Sequence, residues 1–315
     1  MSYSKQYGSL LAVIASAALA AIFPSMGQKL SAFGAKEAAV ILIFSVTGLS
    51  LSFAEVRASV KDFRCHALIQ GFSFILTPGI IFTAATLFPA GPLRQGLYLV
   101  AAVPTTVSSC VSFTMAASGD VSLALVNAVL GNLLGVVLSP WLLGLLQGGG
   151  AAGTAAAAGA ARQLALFVVL PFTLAALAAP SLPRLREAVC RWQSPLSQSG
   201  ILVIIFCSFA GSFASLMASW QALWACFACL AALHVLLVLA ARLAARAAGL
   251  SAEKTVAVLF CAPQKTLALG LPLAGFYFAA QKENLALILL PLVFYHFFQL
   301  FFSGFLVSRL RRVPN

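Results

Sequence analysis

The sequence predicts an all-α polytopic membrane protein with ten transmembrane helices in two inverted five-helix repeats. The first observation is composition: 62% of the 315 residues are hydrophobic, 8% are charged, and the mean hydropathy is +1.02. A soluble domain cannot cover so much apolar surface, whereas the apolar runs are long enough to cross about 30 Å of hydrocarbon as helices. The second observation is a proline break inside two apolar segments, at Pro104 and Pro263. The third is a Gly/Ala-rich stretch at 148–161 between two groups of five spans.

The predicted spans are apolar runs separated by short connections. They lie at residues 8–24, 37–53, 65–88, 95–117, 120–146, 162–179, 197–217, 220–241, 252–280 and 284–307. Residues 9–23 also resemble a signal peptide, but counting them as a span keeps the halves equal. Because each half has an odd number of spans, the halves insert in opposite orientations, as in many secondary transporters. We predict a first repeat at 1–147, a linker at 148–161 and a second repeat at 162–315.

The basic residues predict orientation rather than a nucleic-acid partner. Of the 19 Lys and Arg residues, 13 lie at the ends and connections on the N-terminal side of the predicted spans, five lie in the opposite connections, and Lys265 lies within a span. Because Lys and Arg concentrate in cytoplasmic connections, both termini are expected in the cytoplasm, with the protein in a bacterial inner membrane. The expected partners are the lipid bilayer and a small anionic solute, and the sequence does not indicate an oligomeric state.

The first break is rich in hydroxyl groups. Proline has no N–H and interrupts the helix, so the freed backbone groups need partners that do not come from lipid. The predicted site residues here are Thr105, Thr106, Ser108, Ser109 and Cys110, with Pro104 as the helix break. Close packing of small residues is the alternative interpretation, and it suffices for Ser112 and Thr114.

The second break places a lysine inside the membrane. Pro263 interrupts the span, and Gln264, Lys265 and Thr266 follow it. A lysine near the bilayer centre costs about 2.5–3.5 kcal/mol on insertion scales, so it requires a partner or a water-filled cavity. We therefore predict that these three residues belong to the site. The alternative is that Lys265 reaches water along a cavity wall.

Other polar residues within spans are further candidates. Gln70 in span three is predicted either to bind a ligand or to form a hydrogen bond between helices. Asn127 and Asn132 in span five are expected to face protein. His296 lies three residues before Gln299 on one helix face, so His296 has either a site role or a structural role.

At these breaks the chain resembles the bile acid:sodium symporter superfamily, most closely its sodium/bile acid cotransporter 7-like (SBF-like) branch. The resemblance is carried by residues 104–109, 131–135, 260–270 and 295–296. It implies a panel domain beside a core domain, and a core in which discontinuous helices four and nine cross at mid-membrane. In sodium-coupled members the crossing holds two sodium ions.

The resemblance also identifies departures at the sodium ligands. Gln70, Ser109 and Gln264 match ligand positions, but the family's glutamate falls on Phe260, and its paired asparagines fall on Cys110 and Lys265. An ammonium about 4 Å from a cation repels it by roughly 4 kcal/mol at an effective dielectric near 20. We therefore expect no sodium coupling through the usual ligands, a proton as an alternative coupling ion, and no cofactor or bound metal. Lys265 is predicted to occupy the place of a sodium ion and to donate to half-helix carbonyls, Ser109 and Gln70.

The leading functional hypothesis is a secondary active transporter of a small organic anion that works by alternating access. Helix N-termini after each break carry partial positive charge, to which Lys265 adds a full charge. One alternative, implied by the resemblance, is a non-transporting regulator of ion homeostasis, in particular of calcium. Another is an arsenite-type efflux carrier with Cys110 as a soft ligand. An enzyme is not expected, because the sequence contains no paired acid and base and no metal motif.

Overall fold

A computed structural model of the chain describes residues 3–51, 62–210 and 220–310. All regular elements in these ranges are helical. The α-helices are α1 (Tyr3–Ile22), α2 (Pro24–Ala32), α3 (Ala35–Leu49), α4 (Phe63–Gly71), α5 (Thr77–Ala85), α6 (Pro92–Ala102), α7 (Ser108–Ala116), α8 (Val121–Leu146), α9 (Gly150–Leu164), α10 (Leu170–Ala178), α11 (Pro183–Phe209), α12 (Trp220–Ala247), α13 (Ala252–Cys261), α14 (Leu267–Tyr277) and α15 (Leu285–Leu310). A π turn, Phe72–Leu76, joins α4 to α5, and another, Ala165–Val169, joins α9 to α10.

Within the described ranges, five helices are long and apolar enough to cross a membrane. They are Phe63–Ala85, Val121–Leu146, Gly150–Ser181, Gln221–Ala247 and Lys282–Leu310. The pair Leu11–Ile22 and Pro24–Ala32 raises the number to six if it is one span, although its two parts meet at 99°. The protein is therefore a multi-pass helical membrane protein, and the arrangement of ten spans in inverted repeats stays a prediction.

Three local predictions differ from the structure. The connection predicted after span one begins with a helix, α2, which meets α1 at 99° because Pro24 cannot donate to the preceding turn and starts a new helix. Residues 148–161 are helical from Gly150 onward, since alanine is the strongest helix former and outweighs the interspersed glycines. The turn there is confined to residues 147–149, with Gly148 and Gly149 at positive φ. The connection predicted at 180–195 belongs largely to α11.

Both predicted breaks are present and lie in contact. The first runs from Val103 to Val107 between α6 and α7, and the second from Ala262 to Thr266 between α13 and α14. The Thr266 N–H donates to the Pro104 carbonyl across 2.9 Å, so the two unwound segments satisfy each other's backbone. The prediction that both helices unwind near their prolines and meet is confirmed.

Two ends of the helix bundle are defined by contacts between distant helices. At the first, the Asp120 N–H donates to the Glu253 carbonyl at 3.0 Å, and Lys254 pairs with Asp62 at 2.6 Å. The hydrogen bond from Lys254 lowers the pKa of Asp62. We call this the Asp120 end; α4, α8 and α13 begin there, and the Asp120 carboxylate caps α8 by accepting from the Leu123 N–H. At the opposite end α8 and α14 finish beside each other, and we call it the Tyr277 end.

The helices form two packed groups. In one, α3 packs on α10 and α11, and α1 packs along α11. In the other, α15 packs on α6 and α12, while α13 packs on α7 and α8. Both breaks belong to the second group. The site described next lies where the two groups meet.

Candidate functional site

Gln264 is the centre of a buried polar network that joins the two breaks. Its Oε1 accepts hydrogen bonds from the hydroxyls of Thr106 at 2.7 Å and Ser109 at 3.1 Å. Its Nε2 donates to the Ser303 hydroxyl on α15 at 3.0 Å. The side chains of Thr106, Ser109 and Gln264 are all buried. The structure therefore brings together three residues that the sequence assigned to the site from separate segments.

The Lys265 ammonium is fully buried and bound to backbone carbonyls. Its Nζ donates to the carbonyls of Val103 at 2.8 Å, Ser73 at 3.2 Å and Ala101 at 3.5 Å. The interpretation that Lys265 reaches water is therefore wrong. Donation to half-helix carbonyls is present, but Ser73 takes the place of the predicted Ser109 and Gln70.

These three carbonyls have no helical donor because Pro78 interrupts one helix and Pro104 ends another. In the π turn the Thr77 N–H donates to the Phe72 carbonyl. The next donor in that register would be residue 78, which is a proline and has no N–H, so the Ser73 carbonyl has no intrahelical partner. The carbonyls of Ala101 and Val103 belong to the end of α6, where no further turn supplies donors. A buried ammonium is stable here because three carbonyl dipoles converge on it.

The backbone of the second break is held by α15. Gln299 accepts from the Lys265 N–H and donates to the Lys265 carbonyl, both at 2.7 Å. Gln299 Nε2 also lies 2.9 Å from His296 Nδ1, which as the acceptor leaves the ring proton on Nε2. The Tyr295 hydroxyl donates to the Pro263 carbonyl at 2.6 Å, and its oxygen lies 3.1 Å from His234 Nδ1.

The first break is held by α8 and by its own side chains. Asn132 Nδ2 donates to the Thr105 carbonyl at 3.0 Å, and the Cys110 N–H donates to the Thr106 hydroxyl at 3.2 Å. The Cys110 thiol donates to the Thr106 carbonyl at 2.6 Å. Thr266 plays the matching role at the second break, where its hydroxyl accepts from the Ala268 N–H at 3.2 Å.

A cavity of about 570 Å³ lies between the two helix groups, with the breaks in its wall. Five of the predicted site residues and Asn132 line this cavity: Thr106, Ser108, Ser109, Asn132, Thr266 and His296. The other predicted site residues, Gln70, Thr105, Cys110, Gln264 and Lys265, lie behind this wall and do not line it. Gln70 instead donates to the backbone and side-chain oxygens of Asn127, at 3.0 and 3.1 Å. The N-terminal turns of α7 and α14 open on the cavity, and the described residues that line it include no Lys, Arg, Asp or Glu.

The cavity extends from the breaks toward the Asp120 end. Met115, near the end of α7, and Gln193, in the first half of α11, both line it. Between the same helix groups at the Tyr277 end, a space of about 30 Å³ is enclosed by parts of α3, α11 and α14. There Phe276 of α14 also stacks on Phe167 with ring centroids 5.8 Å apart. The interface between the groups is therefore wide at one end and narrow at the other.

Several lining residues were missed by the sequence analysis. Four polar residues of α11 face the cavity: Gln193, Ser194, Ser197 and Gln198. Their spacing, two pairs four apart, marks one helix face, but the predicted boundary at residue 197 divided the pairs between a connection and span seven. Ser73 and Ser303 were also missed; they bind Lys265 and Gln264 but do not line the cavity. Pro78, five residues after Ser73, is a sequence signal for a freed Ser73 carbonyl. Ser303 has no comparable signal.

Comparison with known proteins agrees with this architecture. The sequence profile of the SBF-like CPA transporter family matches residues 9–312. The chain belongs to this family. A relative in Escherichia coli K12, named putative symporter YfeH, is 27% identical over 310 residues, covering 96% of this chain and 92% of that protein. An uncharacterized Pseudomonas aeruginosa protein is 31% identical over 313 residues, with the same 96% and 92% coverage. Mouse sodium/bile acid cotransporter 7 is 28% identical over 281 residues, covering 87% of this chain and 82% of its own length.

The SBF-like family is a membrane transporter family related to the sodium/bile acid cotransporters, so the resemblance predicted from the two breaks is confirmed. Membership covers nearly the whole chain and includes both breaks, the cavity wall and α11. It leaves the substrate and the coupling ion of this SBF-like protein to be argued from the site itself.

Proposed function

We propose that the protein is a secondary active transporter of small organic anions that works by alternating access. The observation that carries the proposal is the cavity on which the N-terminal turns of α7 and α14 converge. Each helix N-terminus carries roughly half a positive charge, which favours an anionic group, although Thr106 and Thr266 already cap the Cys110 and Ala268 N–H groups. In the part of the chain that the structure describes, the cavity wall has no carboxylate that would repel an anion. The mouse relative is named for bile acids, which are organic anions.

Coupling to sodium through the usual ligands is disfavoured in this proposal. A sodium ion needs several oxygen ligands, and the carbonyls of Ser73, Ala101 and Val103 are taken by the Lys265 ammonium. The Gln264 oxygen already accepts two hydroxyl hydrogen bonds. Lys265 thus supplies a fixed cation where a mobile one would bind, and a proton is the coupling ion that remains compatible with the site.

The alternating-access part of the proposal is supported by the asymmetry between the two ends. The wide cavity at the Asp120 end and the much smaller space at the Tyr277 end lie along one interface. A rocking motion of one helix group against the other would close the first and open the second. Both breaks belong to the same helix group, so they would move together and the hydrogen bonds between them would be kept.

Uptake into proteoliposomes tests the function. A panel of labelled organic anions that includes a bile acid is presented in sodium chloride or choline chloride, with protein-free liposomes as the control. We expect protein-dependent uptake of at least one anion at similar rates in both salts. Uptake restricted to cations would overturn the proposal, and a steep requirement for sodium would overturn its coupling part.

We further propose that the Asp120 end is cytoplasmic, with both termini on that side of a bacterial inner membrane. The excess of Lys and Arg supports this orientation. The native Cys190, which is exposed near the start of α11, should then be protected in intact cells from a membrane-impermeant maleimide. A cysteine introduced by Gly150→Cys should be labelled under the same conditions. The reverse labelling pattern would contradict the orientation.

A further inference from the structure

The polar residues that line the cavity differ in whether they are available to a ligand. On the wall formed by the breaks, the Thr106 and Ser109 hydroxyls are bound to Gln264, and the Asn132 amide is bound to the carbonyls of Thr105 and Ala128. The Thr266 hydroxyl caps α14. These groups have hydrogen-bond partners within the protein and serve mainly to hold the breaks.

The polar groups of α11 are not used in this way. Within the described ranges, the side chains of Gln193, Ser194, Ser197 and Gln198 have no protein hydrogen-bond partner, although all four line the cavity. The neighbouring Ser199, which does not line the cavity, donates to the Leu196 carbonyl at 2.8 Å. Among the described residues, six polar side chains that line the cavity have no protein partner: these four on one face of α11, and Ser108 and Ser112 of α7 on the facing wall.

The chemistry of this face indicates what it can bind. Glutamine amides and serine hydroxyls each donate and accept hydrogen bonds, and they carry no charge. Such a set matches hydroxyl or amide groups, which also donate and accept. It does not match a second carboxylate, since no cation is present on this wall. Apolar residues border it, including Ile201 and Phe172, so a ligand here also contacts hydrocarbon surface.

We propose that this face of α11 is a second anchoring site, so that the transported anion is a carboxylate bearing several neutral hydroxyl or amide groups. The inference rests on the proposed function, in which the helix N-termini hold the acid group. The α11 face then binds the neutral polar part and determines which carboxylates are accepted. A cavity of about 570 Å³ accommodates a solute of the size of a sugar acid or somewhat larger.

Carboxylates of equal carbon number, one with hydroxyl groups and one without, test this inference separately from the proposed function. The probes are gluconate and hexanoate with six carbons, and threonate and butanoate with four. Binding to the purified full-length protein is measured by calorimetry and by thermal shift. We expect the wild type to bind gluconate at least about tenfold more tightly than hexanoate, because unpaired polar groups in a site discriminate strongly against an analogue without hydroxyls.

Substitution on α11 provides the second measurement. The double variant Gln193→Leu with Gln198→Leu keeps side-chain volume and removes both amides. It should weaken gluconate binding by about tenfold or more and leave hexanoate binding unchanged or tighter. Ser199→Ala is the matched control on the same helix and should bind both probes like the wild type.

Three outcomes would overturn the inference. Equal wild-type affinity for the hydroxylated and plain carboxylates would do so while the anion proposal stands. An equal loss of both probes in the double variant would show that α11 supports the fold and does not read hydroxyl groups. Failure of all four carboxylates to bind would overturn this inference, whereas the proposed function is tested separately by uptake of the wider anion panel.

Discussion

At the residue scale, the site depends on how a buried ammonium is stabilised without a carboxylate. Lys265 is bound by three main-chain carbonyls, and its own peptide group is bound at both ends by Gln299. Carbonyl dipoles offset part of the desolvation cost of the charge, and the fixed geometry avoids reorganisation. The same lysine therefore joins the π turn, the end of α6 and α15.

Replacing Lys265 by methionine should destabilise the protein. The ammonium's desolvation cost disappears, but the Ser73, Ala101 and Val103 carbonyls lose their donor, at about 1–3 kcal/mol for each buried acceptor left unsatisfied. We expect a lower melting temperature in the same detergent, with Lys282→Met as the control because Lys282 is exposed. Sodium chloride should raise the melting temperature of Lys265→Met above that in choline chloride, since a cation can now occupy the vacated carbonyls.

A variant that melts like the wild type would show that the lysine contributes no net stability. Equal melting of Lys265→Met in the two salts would contradict the idea that the ammonium occupies a cation position.

At the element scale, prolines create the functional geometry by removing backbone donors at chosen points. Pro104 and Pro263 unwind two helices, while Pro78 leaves the Ser73 carbonyl without an intrahelical partner. Pro171 follows the second π turn in the same way, where the Leu170 N–H donates to the Ala165 carbonyl. Among the described residues, a π turn followed by a proline therefore occurs twice, but a lysine binds the freed carbonyl only at the first.

Pro78→Ala should impair transport more than Pro171→Ala. Each change restores an N–H after a π turn, but in Pro78→Ala this donor competes with the Lys265 ammonium for the Ser73 carbonyl. We expect uptake to fall several-fold in Pro78→Ala and to stay near the wild-type rate in Pro171→Ala. Equal effects of the two substitutions would indicate a general response of the helices.

At the scale of the whole molecule, function depends on the interface between the two helix groups. The cavity occupies this interface at the Asp120 end, and α14 closes it against α3 and α11 at the Tyr277 end. Ser208 of α11 and Gly275 of α14 both line the small closed space. A side chain added at Gly275 would meet no atom within 4 Å, so a cysteine fits there.

A cross-link between these positions should separate binding from transport. The double variant Ser208→Cys with Gly275→Cys is made with Cys190→Ser, which removes an exposed thiol. After treatment with a short bifunctional methanethiosulfonate reagent, which spans a gap that a direct disulfide does not, we expect the protein to bind its anion but not to transport it, with transport restored by reduction. Gly275→Cys alone controls for pairing with the adjacent native Cys207. Undiminished transport by the cross-linked protein would refute alternating access at this interface.

The sequence by itself determined the class of the protein, the place of its two breaks and its family. Membrane class follows from composition, and the breaks at Pro104 and Pro263 follow from the missing proline N–H, which acts within a single turn. The motifs around those breaks carried the resemblance, and the match over residues 9–312 bears it out. Local chemistry suffices for such conclusions because it does not depend on distant segments.

Only the tertiary structure decided which groups face one another. Thr106, Ser109 and Gln264 form one network because the breaks are in contact, while Cys110 and Lys265 lie behind the cavity wall. The partner of Lys265 in the π turn, Ser73, could not be chosen from sequence, since any freed carbonyl is an equivalent acceptor until the helices are packed. The first half of α11 shows the same limit: the sequence suggested a connection, whereas α11 packs as one helix against α3 and α1.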